Sequence, residues 1–306
     1  MFLFEAVPWY NWLMLLGVIA ALMGLNELTR LNKWTAIGFF LVLPLALTLL
    51  VWPRTAGAGS STGTWFHWVK VYSALAGCLG FLAIRTIKKV ENSKFTYIFP
   101  PLILSVNILE ACIRDFQCSG LNGLVDGVVM VGGPWNVMNG IAGLLNIATI
   151  TGAAGIFVSG KKSRDMLWPD MLWFWIIAYD VWNFAYVYNC VSDHAFYAGL
   201  ALLAAPTLTA FFLCKGAWLQ HRAHTLGLWM MFTMAVPSFV GESMFSVKSS
   251  HSPVALFTVS GLSLALNVGV LVYMLHRSAK LKRNPYTKEL YGDMKAYREV
   301  AGNKVA

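Results

Sequence analysis

The residues of this sequence with the greatest capacity for chemistry are acids, amides and a lysine set inside apolar runs. In WFWIIAYDVWNFAYVYN, Trp173 to Asn189, Asp180 has no charged neighbour within nine residues on either side, and Asn183 follows one turn later. In NILEACIRD, Asn107, Glu110 and Arg114 recur at i, i+3 and i+7, the spacing of one helix stripe. Glu110 and Arg114 are spaced to pair, and Arg114 and Asp115 are expected near water. In WFHWVKVYS, Lys70 stands one turn from His67; in PSFVGESMF, Glu242 stands one turn from Ser238, after Pro237. A charge buried without a partner is costly, so each of these groups is a candidate site residue. The plainer reading of Asp180 is a helix tie through Tyr or Trp. For Lys70 it is a stem that carries the ammonium to water, and for Glu242 an acid at the rim.

Taken together, Lys70, Asn107, Glu110, Asp180, Asn183 and Glu242 are expected to line one polar cavity, with Asp180 as its floor. Three carboxylates against one lysine favour a cation, a proton or an amine, and crowding raises at least one carboxyl pKa. No catalytic set follows from these spacings, and no cofactor. There is no P-loop, HExxH, G-x-S-x-G or dinucleotide fingerprint. His221 and His224, in HRAH, lack a third nearby ligand, so a solvated basic connection is expected there and no metal site. The last apolar run holds no lysine, which counts against a retinal protein. Cys118 and Cys190 follow two apolar runs on the same side and form a candidate disulfide, if their Cα atoms come within about 7 Å. Two unpaired thiols are the alternative.

The elements that must hold these groups are set by composition. The chain has 306 residues, 58% hydrophobic and 12% charged, about half the charged share of a soluble domain. Nine runs have the length to span a bilayer: Tyr10–Leu28, Trp34–Trp52, Thr64–Ile84, Phe95–Ile113, Trp135–Val158, Leu167–Tyr188, His194–Cys214, Thr225–Val247 and Val254–Leu275. An all-α, polytopic bundle over residues 1–275 is predicted, with a basic tail over 276–306 that forms a short polar helix after Pro285. One side holds Arg54, Arg114 and Lys248, and Lys70 lies within a run; the rest of the 23 Lys and Arg fall on the other side or in the tail. That asymmetry places the N-terminus outside and the C-terminus inside. The basic residues form short clusters between apolar runs rather than one patch, so the formal charge of +9 does not indicate nucleic acid. The start, MFLFEAVPWYNW, lacks a basic n-region and cleavage site, so the first run reads as a retained helix. Arg114 to Pro134 is expected as an ordered outer loop, with a re-entrant segment as the alternative. Asn139, Asn146 and Asn267 are expected to tie helices together. Asn26, Glu27 and Arg30 read as an interfacial salt-bridge cluster.

PWYNWLM…LNELTR, GTWFHWVKVYSALAGC, PPLILSVNILEACIRDFQC and AYDVWNFAYVYNC resemble a family of bacterial polytopic membrane proteins known only as a domain of unknown function. That resemblance implies a multi-pass inner-membrane protein, with no activity, substrate or site attached. The polar groups themselves favour a secondary transporter or channel-like protein for a small cationic or proton-coupled solute. A membrane enzyme acting on a lipid or lipid-linked substrate is the second reading, and a receptor or scaffold the third. Expected partners are the bilayer and a small solute or lipid; the oligomeric state is open.

Overall fold

The computed structural model describes residues 2–304, and it is mostly helical. Each predicted run overlaps one long helical segment: α1 Trp9–Leu31, α2 Lys33–Leu50, α3 Trp65–Thr86, α4 Phe95–Cys118, α5 Pro134–Ala148, α6 Trp173–Cys190, α7 Tyr197–Leu213, α8 Trp218–Ala235 and α9 Pro253–Leu281. Five of them, α1 to α4 and α9, are long and apolar enough to cross a membrane. Leucines such as Leu13, Leu16, Leu45 and Leu49 point outward from α1 and α2, which suits hydrocarbon and not water.

Local chemistry sets where the helices begin, end and widen. Pro8 precedes α1, and Asn32 ends it while its side chain accepts the Trp34 and Thr35 amides that open α2. The Thr64 hydroxyl caps α3 and bonds His67 Nδ1 at 2.8 Å. Helix α2 widens to a π turn at Gly38–Val42, just before Pro44. Proline lacks an N–H and crowds the carbonyl four residues back, and a wider turn relieves both problems. Helix α7 carries π turns at Tyr197–Ala201 and Thr209–Leu213, on either side of Pro206.

Two boundaries differ from expectation for physical reasons. Helix α8 starts at Trp218, so His221, Arg222 and His224 are buried helical residues rather than a solvated loop. His221 Nδ1 lies 3.0 Å from the Asn26 amide nitrogen, and His224 Nδ1 3.3 Å from the Thr29 hydroxyl, both on α1. Helix α5 stops at Ala148 and α6 begins only at Trp173. Between them Phe157–Val158 (β1) pairs antiparallel with Met166–Leu167 (β2).

The segment after α4 is not a plain loop. Asn122–Val125 and Val128–Val131 form an antiparallel hairpin, so the fold is not purely α. Its turn residues Asp126 and Gly127 both have positive φ, 51° and 73°, the twist a two-residue hairpin turn needs. Val128 and Met130 are buried and Leu124 is exposed, so one face packs on the bundle. Ser192 Oγ donates to Val129 O at 3.0 Å, which joins this hairpin to the α6–α7 connection. This is the hairpin end of the bundle; the opposite end carries the 149–172 segment and the tail.

The tail folds back rather than projecting away. Leu290 and Tyr291 are buried against Leu172 and Met274, and the Tyr286 hydroxyl donates to Ala148 O at 2.8 Å. Among the described tail residues beyond α9, only Lys295–Ala301 is helical in the α sense. Asp170 lies beneath this strap, and neither carboxyl oxygen has a hydrogen bond of normal geometry. Gly152, at φ 63°, makes room for it: a Cβ there would stand 2.2 Å from Asp170 Oδ2. Burial pushes the Asp170 carboxyl up to about 6, although the Thr151 hydroxyl and Leu290 amide favour its ionised form. Glu289 adds to the rise and Arg277 opposes it. A carboxyl raised in the folded state binds its proton more tightly there, so docking weakens as pH rises from about 4 through 6. Hydrogen exchange at Leu290 and Tyr291 is therefore expected to be more protected at pH 5 than at pH 7.5, after correction for intrinsic rates. Asp170→Asn should remove that difference; an unchanged difference in the variant would assign it elsewhere.

Candidate functional site

One stripe from each of several helices meets inside the bundle around a cavity of about 60 Å³. His67 and Lys70 face it from α3, Asn107 from α4, and Tyr179, Asn183 and Tyr186 from α6. Helix α8 lines it from Arg222 to Thr233. The eleven steps between them, at 1.5 Å each, make the lining stretch of α8 roughly 16 Å long. His67 and His194 lie toward the hairpin end, with ring centroids 5.7 Å apart, and His194 Nε2 is 3.2 Å from the Ser61 hydroxyl.

The two cations of the cavity are held differently. Lys70 Nζ lies 2.9 Å from Glu110 Oε2 and donates to Asn107 O at 2.5 Å. The Ser73 hydroxyl donates to the same Glu110 oxygen at 3.1 Å, so this buried pair is neutral and solvated by protein. Arg222 is 4% exposed. Its Nε donates to the Tyr179 hydroxyl and its Nη2 to Asn183 Oδ1, both at 3.3 Å. Its Nη1 has no partner, and no ion pair within 4.0 Å reaches it among the described residues. A second cavity of about 30 Å³ shares Asn107, Tyr179, Arg222 and Leu226 with the first and continues toward Phe81 and Leu219. Arg222 stands at the waist between the two.

A profile described as a family of unknown function, DUF5692, matches residues 5–303. The chain belongs to that family. No curated protein matches this DUF5692 chain, and no solved structure does.

Of the residues expected at one site, this DUF5692 fold brings Lys70, Asn107, Glu110 and Asn183 together and leaves two apart. Asp180 is three residues from Asn183, hence about 60° round the helix, and it turns to α7. There it accepts the Thr207 hydroxyl at 2.7 Å, and Thr207 accepts Trp218 Nε1 at 3.2 Å. Asp180 ties three helices together and does not line the cavity. Glu242 caps the short helix Ser238–Gly241 and is exposed at the hairpin end. Glu110 and Arg114 do not pair with each other: Glu110 takes Lys70, and Arg114 approaches Asp126 at 3.8 Å.

Arg114 and Asp115 are buried rather than interfacial. Asp115 accepts Asn139 Nδ2 at 2.7 Å, Asn136 Nδ2 at 3.3 Å and the Cys190 thiol at 3.2 Å. Cys118 and Cys190 are free, buried thiols within hydrogen-bond reach of each other, not a disulfide. Asn139 accepts the Ser263 hydroxyl at 2.7 Å, and Asn267 donates to Ala178 O at 3.3 Å; these are the expected helix ties. Asn146 is buried with no partner for either side-chain atom. No group of three or more His, Cys, Asp or Glu that could hold a metal occurs among the described residues.

At the opposite end Asp165, which the sequence reading passed over, is a hub. Its carboxylate takes Arg30 Nη1 at 2.7 Å, Ser163 Oγ at 2.6 Å and Gln220 Nε2 at 3.0 Å, with Arg85 Nη2 at 3.9 Å. Burial would raise this carboxyl. Ser163, Arg30, Gln220 and Arg85 together outweigh burial and hold it below the usual carboxylate range. Glu27 completes the cluster at 2.5 Å from Arg30, the expected local pair.

Proposed function

We propose that this chain is a nine-pass membrane protein that binds a small anion at Arg222 and moves it through the bundle. The observation that supports this is the buried guanidinium with an unpartnered nitrogen and no carboxylate in pairing distance. A buried guanidinium that no carboxylate pairs directly is costly; Asp180 acts on Arg222 only from beyond pairing distance, and a bound anion offsets the rest of that cost. Sequence alone favoured a cation, because it counted Asp180 and Glu242 among the lining residues. Without them, Lys70 is neutralised by Glu110, and the charge left over is positive.

The two cavities share Asn107, Tyr179, Arg222 and Leu226 in their walls, and this supports passage rather than static binding, since Arg222 faces both. At about 60 and 30 Å³ they have room for only a few water-sized groups, which limits the solute to an anion of a few atoms. The hairpin end faces outward in this reading and the tail end inward, which the distribution of Lys and Arg supports.

The test uses purified protein in detergent, with sodium chloride, nitrate, formate and bicarbonate each compared with gluconate at one ionic strength. At least one small anion is expected to raise the melting temperature of the wild type and to leave Arg222→Gln unmoved. A ligand at a hundred times its Kd contributes about 2.7 kcal/mol, well within measurable range. Equal responses from the two proteins to every salt would overturn the anion reading. Flux of the same anion into proteoliposomes, lost in Arg222→Gln, separates a carrier from a protein that only binds.

A further inference from the structure

A second basic recess, of about 300 Å³, lies at the tail end where α1 and α3 finish against the 162–164 loop. Arg30, Lys33, Arg85, Lys162 and Arg164 line it, and no acidic side chain does. Glu27, Asp165 and Glu91 stand behind this wall and pair with arginines: Arg30 with Glu27 and Asp165, Arg85 with Asp165, Arg164 with Glu91. Lys33 and Lys162 are exposed and make no ion pair within 4.0 Å among the described residues. The recess therefore carries a net positive charge that its own acids do not cancel.

Its frame is fixed before any ligand arrives. Arg85 Nη2 donates to Arg30 O at 2.5 Å and to Ser163 O at 2.8 Å. Arg85 Nε donates to Arg164 O at 3.0 Å, and Arg164 Nε returns to Arg85 O at 2.7 Å. That reciprocal pair holds Arg164 at φ 49°, a conformation a residue with a side chain rarely adopts. The recess also opens beside apolar surface. Leu31 lines it and is 63% exposed; Trp34, 68% exposed, lies on the rim with Lys33 Nζ 5.0 Å from its ring. Exposed Trp beside Lys is the pairing expected at headgroup depth.

We infer that this recess is a phosphate-group site, filled either by the phosphodiester headgroup of an anionic lipid or by free inorganic phosphate. The internal bonds use Nε and Nη2 of Arg85 and of Arg164 and leave their Nη1 groups for phosphoryl oxygens, and the two lysines add charge at the mouth. In the lipid case the acyl chains would lie along the outward leucines of α1. This site is separate from the Arg222 cavity and does not depend on its function.

The test uses the full chain in dodecylmaltoside mixed micelles containing phosphatidylglycerol or phosphatidylcholine, and in plain micelles with inorganic phosphate. Retained lipid is read by native mass spectrometry and stabilisation by thermal unfolding. Phosphatidylglycerol is expected to be retained and to stabilise, and phosphatidylcholine is not. Lys33→Gln with Lys162→Gln should weaken retention about thirtyfold, from two surface lysines near anionic lipid. Both lysines are exposed, so the variant should fold. Lys280→Gln with Lys282→Gln removes the same charge at the C-terminal end of α9 and should leave retention intact. If inorganic phosphate instead stabilises the wild type and not the Lys33/Lys162 variant, the site stands with free phosphate as its source. Equal loss in the two double variants, or no response to either phosphate compound, would overturn it. Arg222→Gln should retain lipid normally, so failure here and failure of the anion cavity are separate results.

Discussion

Asp165→Ala is expected to destabilise the folded protein by about 3–5 kcal/mol, the cost of breaking a buried ion pair from one side. The carboxylate is 1% exposed and holds Arg30, Ser163 and Gln220 at 2.6–3.0 Å. Its loss leaves Arg85 buried with only carbonyl partners and Arg30 with Glu27 alone. Asp165→Asn keeps the shape and loses the charge, so it should fall between wild type and alanine. The pH dependence has a definite sign. A carboxyl held below its unfolded value contributes stability that is present above about pH 4 and lost as pH falls through the folded value. Unfolding in mixed micelles at pH 7 and at pH 3.5 measures both effects. An alanine variant within about 1 kcal/mol of wild type at pH 7 would mean that Asp165 is not the hub the geometry makes it.

The helices were legible because apolar runs of bilayer length announce themselves in composition. Their ends were less so, and α8 shows why. KGAWLQHRAHTLGLW reads as a polar connection followed by a span, because Gln220, His221, Arg222 and His224 lower its hydropathy. Each of those side chains finds at least one hydrogen-bond partner elsewhere: Asp165, Asn26, Tyr179 with Asn183, and Thr29. Most of these partners lie far away in the sequence, and no window of neighbouring residues contains them. Asp165 and Asp115 escaped for the same reason, each sitting beside an arginine in sequence while its principal partners lie on other elements. Asn136 and Asn139, three apart on one face of α5, were a usable sign that a buried acid faces them. The hairpin was legible and was missed: Val125-Asp126-Gly127-Val128 carries the Asp-Gly turn signal between β-branched residues.

Within the site, Asn183 and Asp180 differ by helix phase. Asn183 lines the cavity, while Asp180 is turned to Thr207 by about 60° of rotation. A polar run rotated that far changes the inferred ligand from cation to anion. A lone aspartate in an aromatic helix could equally have lined a pocket or tied helices. The partner hydroxyl on α7, 27 positions away, decides between them.

The Lys70–Glu110 pair gives the second large effect and separates scaffold from ligand chemistry. Both side chains are 9% exposed and their charged atoms are 2.9 Å apart. Glu110→Leu alone, or Lys70→Met alone, should destabilise by about 3–5 kcal/mol, because each leaves one charge buried without its partner. Lys70→Met with Glu110→Leu removes both charges and replaces them with apolar side chains of similar volume. That double variant should return to within about 1 kcal/mol of wild type, since a well-packed apolar pair is often as stable as the ions it replaces. The cycle therefore yields a coupling of several kcal/mol, far above the few tenths expected for independent sites. Additive single effects would mean that the two charges do not sense each other. The same double variant then bears on function. If Arg222 holds the anion and the pair only fastens α3 to α4, the anion-dependent rise in melting temperature should survive with affinity within about threefold of wild type. Its loss in a protein that still folds would move Lys70 from the scaffold into the binding site, where the sequence first suggested it.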